Sequence, residues 1–105
     1  MGERTANVQD GNLGDTIESL AATLHGRWDA DPQESYTARL LQGKPDKLLS
    51  KIAEEAAEVI MACKDDDHDH IRYEAGDLVY HLLVVLERYG VTIDELAGEL
   101  NARMK

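Results

Sequence analysis

The run LVYHLLVVL at residues 78–86 is apolar almost all the way round a helix, with Tyr80 and His81 as its polar interruptions. A helix of this kind has to be covered on several sides, which a four-helix core or a dimer interface would achieve. The chain has no Phe and no alternating apolar and polar run bounded by turn residues, so the signals of β-strands are absent. The sequence therefore predicts an all-α fold, an antiparallel bundle of four to five helices whose core is completed by dimerisation.

Apolar spacing and capping residues divide the chain into helices. Ile17, Leu20, Leu24 and Trp28 recur at three- and four-residue intervals, which indicates a first amphipathic helix. The further predicted helices are a short one over residues 36–41 capped by Ser35, one from about Asp46 to Lys64, one from about His70 to Tyr89 with Gly90 as its C-terminal cap, and a last one opened by a capping box of Thr92 and Glu95.

Length and charge limit the kind of protein that this chain can be. Residues 1–11 are polar and unpatterned, which predicts a flexible N-terminal tail before a single domain over residues 12–105. A chain of 105 residues is short for an independent core, so we expect a homodimer. The formal net charge of −10 argues against nucleic acid and anionic membranes as partners, although a divalent cation could mediate contact with an anionic substrate. No signal peptide or apolar membrane span is recognisable, so the cytoplasm is the expected location.

The predicted third helix carries one ambiguous residue, Cys63, which is the single cysteine of the chain. Because it lies beside Ile60 and Met61, we expect a small buried core residue rather than a nucleophile. The residues assigned to the buried face of this helix are Leu48, Leu49, Ile52, Ala56, Val59, Ile60 and Cys63.

Acidic pairs at i, i+3 spacing occur on two consecutive predicted helices. The third helix carries Glu55 and Glu58, and the fourth carries Glu74 and Asp77. Residues so spaced project from the same side of a helix. If the short connection makes the two helices antiparallel, the pairs can face one another and form an oxygen-rich site suited to a hard cation such as Mg²⁺. The alternative is that these residues are ordinary solvated helix charges.

Angular position separates the neighbouring residues Glu54 and Glu55. At about 100° per residue, the apolar face of the third helix is centred near Ile52, Ala56 and Cys63, and Glu55 lies roughly 80° from that centre. Glu54 lies on the opposite side, towards solvent or a partner, and is only a weak candidate for a catalytic residue. Glu55 and Glu74 are therefore the predicted innermost pair.

The pattern EExxE (Glu54, Glu55, Glu58) followed by ExxD (Glu74, Asp77) resembles that of the all-α, MazG-like nucleotide pyrophosphohydrolases. Within that superfamily the chain is most similar, from about Leu13 to Lys105, to the bacterial phosphoribosyl-ATP pyrophosphatases of histidine biosynthesis. The segments that carry this likeness are SYTARLL at residues 35–41, KIAEEAAEV at 51–59 and GDLVYHLLVVL at 76–86.

The resemblance implies Mg²⁺-dependent hydrolysis of phosphoribosyl-ATP to phosphoribosyl-AMP and pyrophosphate by a homodimer. It places the metal ligands on Glu55, Glu58, Glu74 and Asp77. It also indicates Ser35, Tyr36, Thr37 and Arg39 as residues that meet the nucleotide, although Ser35 could equally be a helix cap.

Three further residues lie on the acidic side of the predicted helices. His81 could orient a ligand carboxylate or touch a phosphate, and a structural histidine is the alternative. Lys47 and Lys51 could contact substrate phosphates, and Lys51 could instead pair with Glu55 at i, i+4. The run DDDHDH at residues 65–70 is interpreted as a solvated connector, because its sixth and twelfth positions are wrong for a calcium loop.

Two rival functions stay open from the sequence. The first keeps the chemistry and changes the substrate to a canonical or modified dNTP. The second is a non-catalytic helical dimerisation module whose acidic residues keep it in solution.

Overall fold

The computed structural model describes residues 7–104, and this part of the chain is all-α, as predicted, without a strand. Its helices are α1 (Leu13–His25), α2 (Tyr36–Gln42), α3 (Pro45–Lys64), α4 (His68–Tyr89) and α5 (Ile93–Ala102). None of them combines the length and the apolar character that crossing a membrane requires. Residues 1–6 of the predicted tail lie outside the described residues, and the single domain over residues 12–105 stays a prediction.

The predicted caps are confirmed. Ser35 accepts a hydrogen bond from the backbone N–H of Ala38 at the start of α2. Thr92 and Glu95 form the reciprocal capping box of α5. Gly90 ends α4 in the left-handed conformation at φ 73°, which a glycine adopts without steric penalty.

The α3–α4 hairpin has the most extensive helix–helix contact of the chain. The two helices are joined by residues 65–67, where Asp66 has a φ of 53° and Asp67 caps α4 by accepting from the backbone N–H of His70. A connection this short makes the helices antiparallel. The acidic run is therefore a connector, but α4 begins two residues earlier than predicted, at His68.

α1 and α2 cover one side of this hairpin. The fully buried core consists of Leu24 from α1, Leu40 and Leu41 from α2, Leu48 from α3, and Leu83 and Val84 from α4. Arg88 joins α4 to α2 because its Nη1 donates to the carbonyl oxygen of Leu40 at 2.7 Å.

The predicted buried face of α3 is confirmed for Leu48, but it is rotated relative to the face that the structure buries. The line that faces inward consists of Leu48, Glu55 and Ala62, at seven-residue intervals. Ile60 is 58 % exposed, and Cys63 is exposed rather than buried. The reason is that α3 carries apolar residues on two sides, and α2 and α4 cover only one of them.

The apolar run of α4 is likewise covered on one side. Leu83 and Val84 are buried, whereas Val79 and Leu82 are 40 % and 39 % exposed. Together with the exposed side of α3, these residues leave an apolar strip along the α3–α4 hairpin.

Candidate metal centre

The hairpin brings the predicted carboxylates together. Oxygen atoms of Glu55, Glu74 and Asp77 lie within 4.8 Å of one another, and ligand atoms of Glu58, His70 and Glu74 form a second such group. Glu74 belongs to both groups. The antiparallel packing of α3 against α4 therefore joins two i, i+3 pairs into one cluster, which we call the acidic cluster (Glu55, Glu58, Glu74, Asp77).

Burial differs strongly within the acidic cluster. Glu55 and Glu74 are only 7 % and 6 % exposed, so the predicted innermost pair is the buried one. Glu58 is exposed and Asp77 is half-buried. Glu55 lies at the centre of the inward-facing line of α3 rather than at its border, and Glu54 is exposed on the neighbouring side.

Among the described residues, the lysine that pairs with the acidic cluster is Lys51, and it lies beside Glu55 rather than Glu74. Lys51 Nζ lies 3.3 Å from Glu55 Oε1. Burial lowers the pKa of Lys51, but the hydrogen bond to Glu55 and the nearby charges of Glu55 and Glu54 together outweigh it, so that the pKa is raised and the ammonium form is held. Glu74 accepts no hydrogen bond from any residue between 7 and 104, and its nearest basic atom is His70 Nε2 at 3.8 Å.

The environment of Glu74 disfavours its charge. Burial raises the pKa of Glu74, and the nearby carboxylates of Glu58 and Glu55 raise it further. A divalent cation would offset both effects, because it supplies positive charge and coordination to the carboxylate oxygens. Carboxylate oxygens at this spacing are the donors that Mg²⁺ takes, together with waters and substrate phosphates. The residues present therefore fit a magnesium ion.

A chain of hydrogen bonds links the acidic cluster to α2. His81 Nδ1 lies 2.8 Å from the carbonyl oxygen of Asp77, and His81 Nε2 lies 2.8 Å from the hydroxyl of Tyr36. Because a carbonyl only accepts, Nδ1 carries the proton, and the Tyr36 hydroxyl donates to Nε2. Thr37 is hydrogen-bonded in the same way to the hydroxyl of Tyr80.

Comparison with known proteins agrees with this geometry. The family model described as phosphoribosyl-ATP pyrophosphohydrolase matches residues 17–104, which include the whole acidic cluster. The chain belongs to the phosphoribosyl-ATP pyrophosphohydrolase family. Three relatives are named phosphoribosyl-ATP pyrophosphatase. The one from Nitrosomonas eutropha is 47 % identical, and the alignment covers 83 % of this chain and 74 % of the relative. The relative from Dechloromonas aromatica is 45 % identical over 85 % of this chain and 82 % of its own length, and the relative from Neisseria gonorrhoeae is 41 % identical over 87 % of this chain and 86 % of its own length.

The structure brings only some of the substrate-binding candidates of this family member to the acidic cluster. Tyr36 is 39 % exposed beside it. Burial raises the pKa of Tyr36, the ammonium of Lys51 lowers it, and the carboxylates of Asp77 and Glu55 raise it, which places the phenol within their fields. Both ring nitrogens of His81 are occupied, and the side chain is 3 % exposed, which agrees with its structural alternative.

The other predicted substrate-binding residues either bond to groups near them in sequence or form no ion pair within the described range. Ser35 is the cap of α2, and Arg39 Nη1 donates to the carbonyl oxygen of Pro32 at 2.7 Å while its guanidinium lies 5.6 Å from the ring centre of Tyr36. Lys47 is exposed and forms no ion pair with a residue of the described range. Their contact with a nucleotide stays a prediction from the family pattern.

Sequence reasoning missed one residue at the acidic cluster, His70. It was assigned to the start of the predicted helix without a role, and the structure places it in the first turn of α4, four residues before Glu74. The i, i+4 spacing to Glu74 was the signal that could have found it. The predicted helix already contained both residues, and the cap at Asp67 starts α4 two residues before His70.

Proposed function

We propose that this chain hydrolyses phosphoribosyl-ATP to phosphoribosyl-AMP and pyrophosphate in histidine biosynthesis, with Mg²⁺ held by Glu55, Glu58, Glu74 and Asp77. The reaction is supported by family membership and by the names of relatives that are 41–47 % identical. The structural observation that carries the proposal is Glu74, a buried carboxylate crowded by Glu55 and Glu58 and without a hydrogen-bond donor among residues 7–104.

Each member of the acidic cluster has a different task in this reaction. Glu55 and Glu74 form the buried floor, and Lys51 holds Glu55 in place from the side. Glu58 and Asp77 are more exposed and lie where a substrate can approach. A bound Mg²⁺ would neutralise the polyphosphate charge and lower the pKa of an attacking water. Tyr36 offers its partly exposed ring to the nucleotide, and His81 fixes the direction of its hydroxyl.

The proposal includes a homodimer that acts in the cytoplasm. It is supported by the apolar strip along the hairpin, where Leu49, Ile60, Val79 and Leu82 are 39–58 % exposed in a single chain. A second copy would bury such a strip as the core of a four-helix bundle. Sedimentation equilibrium of the wild-type chain and of Leu82→Lys tests this, because a charge in the strip should dissociate the dimer while an equal charge at exposed Leu100 should not.

The reaction is tested by incubating the folded chain with phosphoribosyl-ATP and Mg²⁺ and measuring pyrophosphate and phosphoribosyl-AMP. We expect equal amounts of both products, none after chelation, and little with Glu74→Gln. Glu99→Gln is the matched control, because Glu99 is an exposed helix residue paired with Arg103. Inactivity of the folded wild-type chain with Mg²⁺ would refute the proposal.

The same assay separates the rival functions. A house-cleaning enzyme would prefer dNTPs to phosphoribosyl-ATP, and a dimerisation module would hydrolyse neither. The assay also tests Glu54, the weak catalytic candidate. If Glu54→Gln reduces kcat while the Mg²⁺-induced rise in Tm is retained, Glu54 acts on the reaction; an unchanged kcat removes it as a candidate.

A further inference from the structure

His70 lies at the edge of the acidic cluster on α4. Its Nε2 is 3.8 Å from Glu74 Oε1, and its side chain is 18 % exposed. The ligand atoms of Glu58, His70 and Glu74 all lie within 4.8 Å of one another. An imidazole nitrogen therefore stands beside two carboxylates, in a group distinct from the all-oxygen group of Glu55, Glu74 and Asp77.

The Glu74 carboxylate is the member of this group with the least access to solvent. Glu74 is 6 % exposed and accepts no hydrogen bond from a residue between 7 and 104. The 3.8 Å to His70 is too long for a hydrogen bond. Burial without a donor disfavours the charged form of a carboxylate, and coordination of a cation would offset that cost.

The donor types indicate which cation. Mg²⁺ takes oxygen ligands and seldom imidazole, whereas first-row transition metal ions accept imidazole and carboxylate together. Building on the proposed metal-dependent function, we propose that Glu58, His70 and Glu74 form a second cation position that shares Glu58 and Glu74 with the first and gives the chain a higher affinity for transition metal ions such as Mn²⁺ than for Mg²⁺.

His81, the other histidine near the acidic cluster, does not supply an imidazole ligand to the second cation position. His81 Nδ1 is bound to the carbonyl oxygen of Asp77, and its Nε2 is bound to the hydroxyl of Tyr36. Within the described residues, neither ring nitrogen of His70 has a hydrogen-bond donor or acceptor at bonding distance, and its one ion pair is the 3.8 Å contact with Glu74.

The test is the binding of Mn²⁺ alone to the full chain, without substrate, followed by electron paramagnetic resonance. We expect the wild-type complex to show the pulsed-EPR coupling of a directly bound imidazole ¹⁴N, and His70→Gln to lose it. Mn²⁺ affinity should fall about tenfold or more in His70→Gln, since even residues behind the ligands contribute that much. Mg²⁺ affinity should stay at the wild-type value.

A matched control is His68→Gln, because His68 begins the same helix but its side chain is 90 % exposed and contacts Asp69. This variant should keep both the nitrogen coupling and the Mn²⁺ affinity. A wild-type chain without nitrogen coupling refutes the proposal whether or not any variant folds. So does a His70→Gln chain that loses Mg²⁺ and Mn²⁺ affinity equally, which is what a histidine that only holds Glu74 in place would cause.

Pyrophosphate release with Mg²⁺ is measured on the same samples, so that this proposal and the proposed function can fail separately. Release without nitrogen coupling in the wild-type chain refutes the second position and leaves the function standing. Nitrogen coupling without release of pyrophosphate supports the second position and refutes the function.

Discussion

Two glutamates of α4, Glu74 and Glu87, have opposite electrostatic surroundings. Burial raises the pKa of Glu74, and the carboxylates of Glu58 and Glu55 add to the increase. Burial acts in the same direction on Glu87, but its Oε2 accepts from His25 Nδ1 at 2.9 Å and from Trp28 Nε1 at 2.8 Å. These hydrogen bonds outweigh burial, so the pKa of Glu87 is lowered.

The difference shows how a carboxylate with a structural role can be distinguished from a proposed metal ligand when both lie on the same helix. Both side chains are largely withdrawn from water, so burial alone does not distinguish them. Glu87 ties α1 and the following turn to α4 with donors from this chain. Glu74 has repulsive neighbours and no donor among the described residues, so a positively charged partner would stabilise its ionised form. That partner is the proposed cation.

The largest expected effect is on catalysis. Glu74→Gln should reduce kcat for pyrophosphate release at least about 100-fold, because it removes a ligand and not merely a residue behind one. Glu87→Gln should keep near-wild-type kcat at temperatures where it is folded. Steady-state kinetics with phosphoribosyl-ATP measure both. Equal losses in the two variants would remove the functional distinction between the two glutamates.

The second effect is on metal-dependent stability. At a hundredfold excess over its Kd, Mg²⁺ should stabilise the wild-type chain by about 2.7 kcal/mol. For a domain of this size that corresponds to a rise in Tm of roughly 10 °C or more. Calorimetry should show this rise in Glu87→Gln and not in the double variant Glu55→Gln/Glu74→Gln. A rise that survives in the double variant would place the cation elsewhere.

Local chemistry made much of the fold predictable. Ser35, Gly90 and Thr92 were recognisable as caps because a cap depends on a few adjacent residues. Glu55 and Glu74 could be ranked as the innermost pair because helical spacing sets the direction of a side chain.

Packing was less predictable where it depends on partners distant in sequence. The apolar pattern of α3 does not say which of its two apolar sides this chain covers, so Cys63 was wrongly assigned to the core. Several Asp residues in the connector could cap α4, and the structure uses Asp67, so that α4 begins two residues before His70. The hydrogen bond from Tyr36 to His81 depends on how α2 packs on α4, which no spacing encodes.

The third effect concerns the structural glutamate. Glu87→Gln should lower the free energy of unfolding at pH 7 by about 2 kcal/mol, the order for hydrogen bonds to a charged group. Because the folded-state pKa of Glu87 is lowered, its contribution is complete above the ordinary carboxyl pKa of 4.5 and is lost as pH falls through the folded value. Urea titrations of both proteins should therefore converge in acid. A difference that persists at low pH would mean that the charge is not its source.

The smallest expected effect is a gain in the free energy of unfolding, where the previous variant shows a loss, and it comes from substituting Glu74 in the metal-free chain. Its folded-state pKa is raised above 4.5, so the folded chain binds the proton more tightly than the unfolded chain. Metal-free wild-type protein should therefore lose stability as pH rises from 4.5 through the raised value.

Glu74→Gln lacks that loss and should be more stable at pH 7 by about 0.5–1 kcal/mol, the order for relieving charge repulsion. Urea titrations of metal-stripped samples measure the gain, which should vanish below pH 4.5 and reverse when Mg²⁺ is added. If Glu74→Gln destabilises the metal-free chain as Glu87→Gln does, Glu74 is a structural residue and the contrast within α4 fails.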